Sequence, residues 1–196
     1  MKTNVKTRGR GFSVVEVLVV VTILALIAAL LYPVYATSKR RAKERVCISN
    51  LKSIFSAISM YRSNHDGEGR YGDWISMGLP TGLSVLPDEG YMDPGGLECV
   101  GIPFAPNIEK PFYLPAGWLT GWEPLREPSN LSPGSWRDYV EKWRDEAIFV
   151  QDMNHQEPGT SVGSLLQTHR GLGLYVGGHV RVVLKKGDIF QREWWN

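Results

Sequence analysis

Residues 12–35 read FSVVEVLVVVTILALIAALLYPVY, and they decide how the rest of the chain is to be understood. Apart from Ser13, Glu16, Thr22 and Pro33 the run is apolar, on every side of a helix rather than along one stripe. An α-helix rises about 1.5 Å per residue, so about 20 residues cross a bilayer core. This 24-residue run is long enough. Its Val, Ile and Leu suit lipid and a packed helical bundle equally well. Glu16 breaks the pattern, because an ionisable group buried at such depth costs about 2.5–3.5 kcal/mol unless a partner is supplied. A secretory signal peptide would end in a small-residue site such as Val34-Tyr35-Ala36 and leave Thr37 as the new terminus. A plain membrane anchor would leave Glu16 without a role.

Outward from this run the charge is uneven. Lys2, Lys6, Arg8 and Arg10 precede it with no acid among residues 1–11, and Lys39, Arg40, Arg41, Lys43 and Arg45 follow it. The chain of 196 residues carries +2 overall, but beyond Arg45 there are 13 basic and 18 acidic side chains. A bulk basic surface for nucleic acid is therefore disfavoured in the C-terminal part. With four basic residues before the run and five after it, the positive-inside rule does not choose an orientation. The 39–45 block suits lipid headgroups or an acidic partner surface as well as it suits a solvated helix face.

Gly11-Phe12-Ser13-Val14-Val15-Glu16 resembles the prepilin signature of type IV pilins and type II secretion pseudopilins. The resemblance implies a short basic leader, residues 1–11, removed by prepilin peptidase between Gly11 and Phe12. N-methylation of Phe12 would follow. It also implies a charge pair in the assembled filament between the new amine and Glu16 of a neighbour, and a helix kink at Pro33. Pairing would offset the cost of burying either charge alone. The leader is expected in the cytoplasm and the following domain outside it, carried by a single pass of the inner membrane.

After Tyr35 the helical signal continues but becomes amphipathic. Cys47, Leu51, Ile54, Ile58 and Tyr61, with Phe55 beside them, form one apolar stripe that ends at Asn64-His65-Asp66-Gly67. The spacing predicts a helix from about 12 to 63, roughly 75 Å long. Residues 12–35 form its membrane and assembly half, and 36–64 its amphipathic continuation. Cys47-Ile48-Ser49-Asn50-Leu51 is similar to the Cys-x-x-Asn-Leu segment of a large bacterial pseudopilin-like family. Leu97-Glu98-Cys99 matches that family's second cysteine in part, with Val100 where proline is expected. The stretch from His169 to Val180 resembles its His-x9-Asp-Gly signature imperfectly, with a shorter spacer and glycine in place of aspartate.

Residues 65–196 are expected to fold as a head. Within it, 66–135 hold 10 of the 12 prolines and 12 of the 21 glycines, which argues against long regular elements there. Trp74, Trp118 and Trp122 would anchor these loops. Ser135 followed by Asp138 reads as a helix start, with a short helix over 136–145. A sheet is expected over 147–190: a strand at Ala147–Gln151, then Leu172–Val176 and His179–Leu184 joined by a tight Gly177-Gly178 turn, and an edge strand at Ile189-Phe190. The fold class is α+β: a pilin-like lollipop, with a long N-terminal helix packed on a small antiparallel sheet with long loops.

Two cysteines are too few for a disulfide scaffold or a cysteine-rich zinc module. In an exported head Cys47 and Cys99 can form one disulfide, and two buried thiols remain the alternative. Asp152, Asn154, His155, His169 and His179 gather in the C-terminal third, but no pair has the spacing of a standard zinc or EF-hand site. They are read as loop and strand-surface residues, so no metal and no cofactor is expected. Nucleophile elbow, phosphate loop and paired acid motif are all missing, so no catalytic residue is assigned and no enzyme is expected. The sequence thus reads as a structural subunit of a type IV pilus or a type II secretion-like pseudopilus, in a homo- or hetero-filament. Its partners would be prepilin peptidase, other pilin or pseudopilin subunits and the inner membrane. The alternatives are a membrane-anchored binding or sensor module, and a minor pilin whose head binds DNA or another ligand.

Overall fold

In the computed structural model, residues 13–67, 69–74, 76–101, 114–115, 136–157, 159–160 and 164–196 are described below. The chain divides into two compact units, Met1–Ala42 and Lys43–Asn196. One helix, α1 (Val14–Asn64), contributes to both.

In the N-terminal unit every described side chain is exposed, including Val14, Leu18, Leu24 and Leu30 on different sides of the helix. The helix is unbroken at Pro33. Proline brings no N–H to the ladder, and the Thr37 hydroxyl donates to the carbonyls of Pro33 and Val34 in the turn that follows.

The C-terminal unit is built around the last part of α1. Cys47, Leu51, Ile54, Ala57 and Ile58 are buried, at the helical spacing expected of one face. Phe55 and Tyr61 pack at its margin. After Asn64 the amide of Gly67 donates to the carbonyl of Arg62, and Asp66 turns the chain with a positive φ of 48°. Among the described residues up to Gly101, the loop-rich stretch holds a four-residue helix, α2 (Val85–Asp88), and a 3-10 turn at Pro94–Leu97. Trp74 fastens it: the indole N–H donates to the carbonyls of Leu79 and Pro80, and the ring packs on Trp136 and Phe149. Trp118, Trp122 and Ser135 lie outside the described residues.

A two-residue strand, β1 (Leu114–Pro115), precedes a short helix, α3 (Trp136–Trp143). A 3-10 turn over Arg144–Glu146 then leads into β2 (Ile148–Asp152). β3 (Thr168–Tyr175) and β4 (Val180–Lys186) follow. β2, β3 and β4 form an antiparallel meander with β1 at the outer edge of β2. All five residues of β2 are buried, as befits a strand flanked on both sides, whereas β4, which carries Arg181, Lys185 and Lys186, is the edge of the sheet among the described residues. The β3–β4 turn is the expected Gly177-Gly178 hairpin, closed by the Gly178 amide on the Tyr175 carbonyl. The α+β layout is therefore the expected one.

The C-terminus departs from expectation. Ile189-Phe190 is not an edge strand. Asp188 accepts from the Phe190 amide and from Gln191, which bends the chain into a turn before α4 (Arg192–Trp195). Ile189 and both tail tryptophans are core residues. Trp195 lies so close to β3 that a Cβ on Gly171 would sit 2.3 Å from its ring. The Tyr175 hydroxyl donates to the Trp195 carbonyl at 2.7 Å.

Two outcomes follow from this core. Leu51→Ala should destabilise the C-terminal unit by about 2–5 kcal/mol in denaturant titrations, because it opens a cavity at a fully buried site. Met60→Ala, at a half-exposed position of the same helix, should leave the midpoint almost unchanged. Burial pushes the Tyr175 phenol up from 10.0 to about 12. A phenol whose folded pKa is raised contributes stability that is complete below the unfolded value and lost as pH rises through the folded one. Unfolding midpoints should therefore fall between pH 10.0 and about 12, and Tyr175→Phe should flatten that fall.

Candidate functional site

Two places carry the chemistry. The first is the start of α1. The Ser13 hydroxyl accepts from the Val15 amide at 3.3 Å, and Glu16 reaches back to accept from the Ser13 amide at 2.8 Å. This reciprocal pair is a capping box, with Glu16 in the first turn. The prepilin resemblance implies only an intersubunit partner for Glu16, whereas the Ser-x-x-Glu spacing at 13–16 is the local signal of this second role. Gly11 and Phe12 lie outside the described residues. Of the basic block, Lys39, Arg40, Arg41 and Arg45 are exposed, and Glu44 within it binds Arg170 of β3 through two contacts of 2.7 and 3.0 Å.

The second place is inside the C-terminal unit. α1 delivers Cys47 on its buried face, and the segment after the Pro94–Leu97 turn delivers Cys99. The end of β2 delivers Asp152, and the next turn His155. Both cysteines are present as thiols, with their Sγ atoms 2.9 Å apart. Cys99 Sγ lies 3.2 Å from Asp152 Oδ2 and 3.4 Å from His155 Nε2. His155 Nε2 and Asp152 Oδ2 are 3.2 Å apart, and those two side chains are 4% and 0% exposed. All four donor atoms lie within 4.8 Å of one another. The hydrogen bond with Cys47, then burial, push the Cys99 thiol up, so it holds its proton. Burial works against an imidazolium at His155. The Asp152 carboxylate and the Cys47 sulfur outweigh it, and the pKa is pushed up to about 9.

Neighbouring groups fix these side chains. The Asn154 amide and its Nδ2 donate to Asp152 Oδ1 at 2.9 and 2.7 Å, which turns Oδ2 towards the sulfurs. The Gly101 amide donates to Cys99 Sγ at 3.2 Å. Gly101 must be glycine for this approach, since a Cβ there would sit 2.4 Å from the Asn154 carbonyl oxygen. Such a set can hold a proton network, a disulfide or a metal ion.

The two expected groups thus merge into one. Asp152, Asn154 and His155 are buried rather than surface residues, and they meet the cysteines that the sequence had kept apart from them. His169 and His179 do not join. His169 Nε2 faces the Ser164 carbonyl at 2.6 Å, and His179 stacks on Tyr175 beside Glu146.

A long apolar helix opening on an acidic capping residue, followed by a small α+β unit, is the layout of a pilin-like protein. Residues 6–32 match the prokaryotic N-terminal methylation motif. The chain is 38% identical over 112 residues to type II secretion system core protein G of Pseudomonas aeruginosa, covering 53% of this chain and 79% of that protein. It is 34% identical over 59 residues to core protein G of Pectobacterium carotovorum, and 33% identical over 69 residues to the type IV major pilin protein PilA of Myxococcus xanthus. These last matches span 38% and 30% of the respective relatives. No solved structure matches. The chain belongs to the family of type II secretion system core protein G, the pseudopilins.

Gly101→Ala should lower the unfolding free energy by about 1–3 kcal/mol, through overpacking against the Asn154 turn. Urea titration of the full chain in detergent micelles measures it. An unchanged midpoint would mean that the turn yields at no cost.

Proposed function

We propose that this chain is a structural, non-enzymatic filament subunit, cut between Gly11 and Phe12, methylated on Phe12 and assembled through the N-terminal part of α1 into a type II secretion-like pseudopilus or a type IV pilus. The observation that carries this reading is the N-terminal unit itself. Its apolar side chains are exposed all round the helix, with Glu16 as the lone acid among them. Such a surface is compatible with water only if lipid or neighbouring helices cover it. A bilayer would store the subunit in the inner membrane with its C-terminal unit outside the cytoplasm, and other subunits would replace lipid during assembly. The methylation motif and the relatives named core protein G and PilA support the same reading.

Mass spectrometry of the mature polypeptide tests the processing step. A chain beginning with N-methylated Phe12 is expected, whereas one beginning at Thr37 or retaining Met1 would favour an ordinary signal or anchor. For the assembly step, Glu16→Gln is more informative than Glu16→Ala, since glutamine still serves at the third position of a capping box. The Gln variant should insert and be processed normally yet fail to form filaments. Filaments at the parental level would leave the carboxylate with a capping role alone.

A further inference from the structure

We infer that Cys47, Cys99, Asp152 and His155 form a closed, four-coordinate site for a divalent zinc ion that staples the helix to the loop region and the sheet of the C-terminal unit. The donor atoms come from separate parts of the chain, and nothing local in the sequence requires them to meet. Each is the terminal atom of a buried side chain. A tetrahedral centre with bonds of about 2.3 Å to sulfur and about 2.0–2.2 Å to nitrogen and oxygen has edges of roughly 3.3–3.8 Å. The 3.4 Å separation of Cys99 and His155 falls within that range, and the two 3.2 Å separations from Asp152 lie just below it, so the carboxylate has to draw back slightly to admit the ion. The sulfurs, 2.9 Å apart, need to part by roughly 0.9 Å to admit the ion.

The donor set names the metal class. Two thiolates and an imidazole suit zinc, whereas calcium and magnesium take oxygen ligands. Each thiol and the His155 imidazolium releases its proton to solvent on binding, and the two thiolates with one carboxylate and a neutral imidazole leave the centre at −1. The surroundings are built for that charge. Gly101 donates its amide to Cys99 Sγ, and Asn154 holds the distal oxygen of Asp152 with two N–H groups. Outer-shell donors of this kind orient metal ligands and lessen their negative charge. A Cys47–Cys99 disulfide uses two of the four groups, and it gives the buried carboxylate and imidazole no reason to point at sulfur. With four protein ligands and no open position, the ion is structural rather than catalytic. This inference does not depend on the filament reading.

The test uses the full chain in detergent micelles, purified without chelator or reductant. Elemental analysis should give about one zinc per chain, and exchange with cobalt(II) should give thiolate-to-cobalt charge-transfer and tetrahedral ligand-field bands. Cys99→Ser should lose the metal. Because that variant can also unfold, His155→Cys provides a second readout: it should retain cobalt and intensify the charge-transfer band through a third thiolate. Two results would overturn the assignment. One is a chain two hydrogens lighter, carrying a Cys47–Cys99 cross-linked peptide and no zinc. The other is a metal-free chain whose two thiols titrate freely and whose spectrum does not respond to cobalt.

Discussion

A single helix in this protein has to satisfy two environments, and that constraint governs the rest. From Val14 to Ala42 every α1 side chain is exposed, and from Cys47 onwards one face is sealed in a packed core. Backbone hydrogen bonds are satisfied within the helix in either setting, so the same secondary structure serves both. Only the side chains change. Val, Leu and Ile surround the first part, and a stripe spaced by three and four marks the second. A soluble domain would bury the first part, and a simple anchor would not continue into the stripe.

Much of this was legible because helix and hairpin signals are local. The stripe at Cys47, Leu51, Ile54 and Ile58 and the Gly177-Gly178 turn each declare themselves within a few residues, and the structure places both as expected. Ile189-Phe190 misled for an equally local reason. Two β-prone residues after a strand look like another strand, but the Asp188 side chain captures the next backbone donor and turns the chain instead. The tail tryptophans gave no positional signal. Their burial follows from the space that Gly171 leaves on β3, a tertiary fact.

The cysteine cluster was illegible for a different reason. Spacing rules recognise metal sites whose ligands arrive in pairs on one loop, and here only Asp152 and His155 are near neighbours. Cys47 is placed by helix periodicity, Cys99 by a loop folded over that helix, and Asp152 by the register of β2 against β3. Seen singly, a cysteine on an apolar stripe is a small hydrophobe, and an aspartate at a strand end is a solvated residue. Their meaning appears only when the helix, the loop and the sheet pack together.

The capping geometry also bears on how a filament contact at Glu16 would work. A mature chain starting at Phe12 would carry an ammonium group one residue before Ser13, next to the positive end of the helix dipole. That arrangement is unfavourable in an apolar setting unless a carboxylate lies close by. Glu16 is already turned towards the helix start by its bond to the Ser13 amide. A carboxylate has about four acceptor sites, so it can keep this bond and still receive an ammonium from an adjacent subunit. Capping and pairing are then compatible uses of one side chain. The first would hold the acid where the second needs it, so that less side-chain freedom would be lost if two subunits met there.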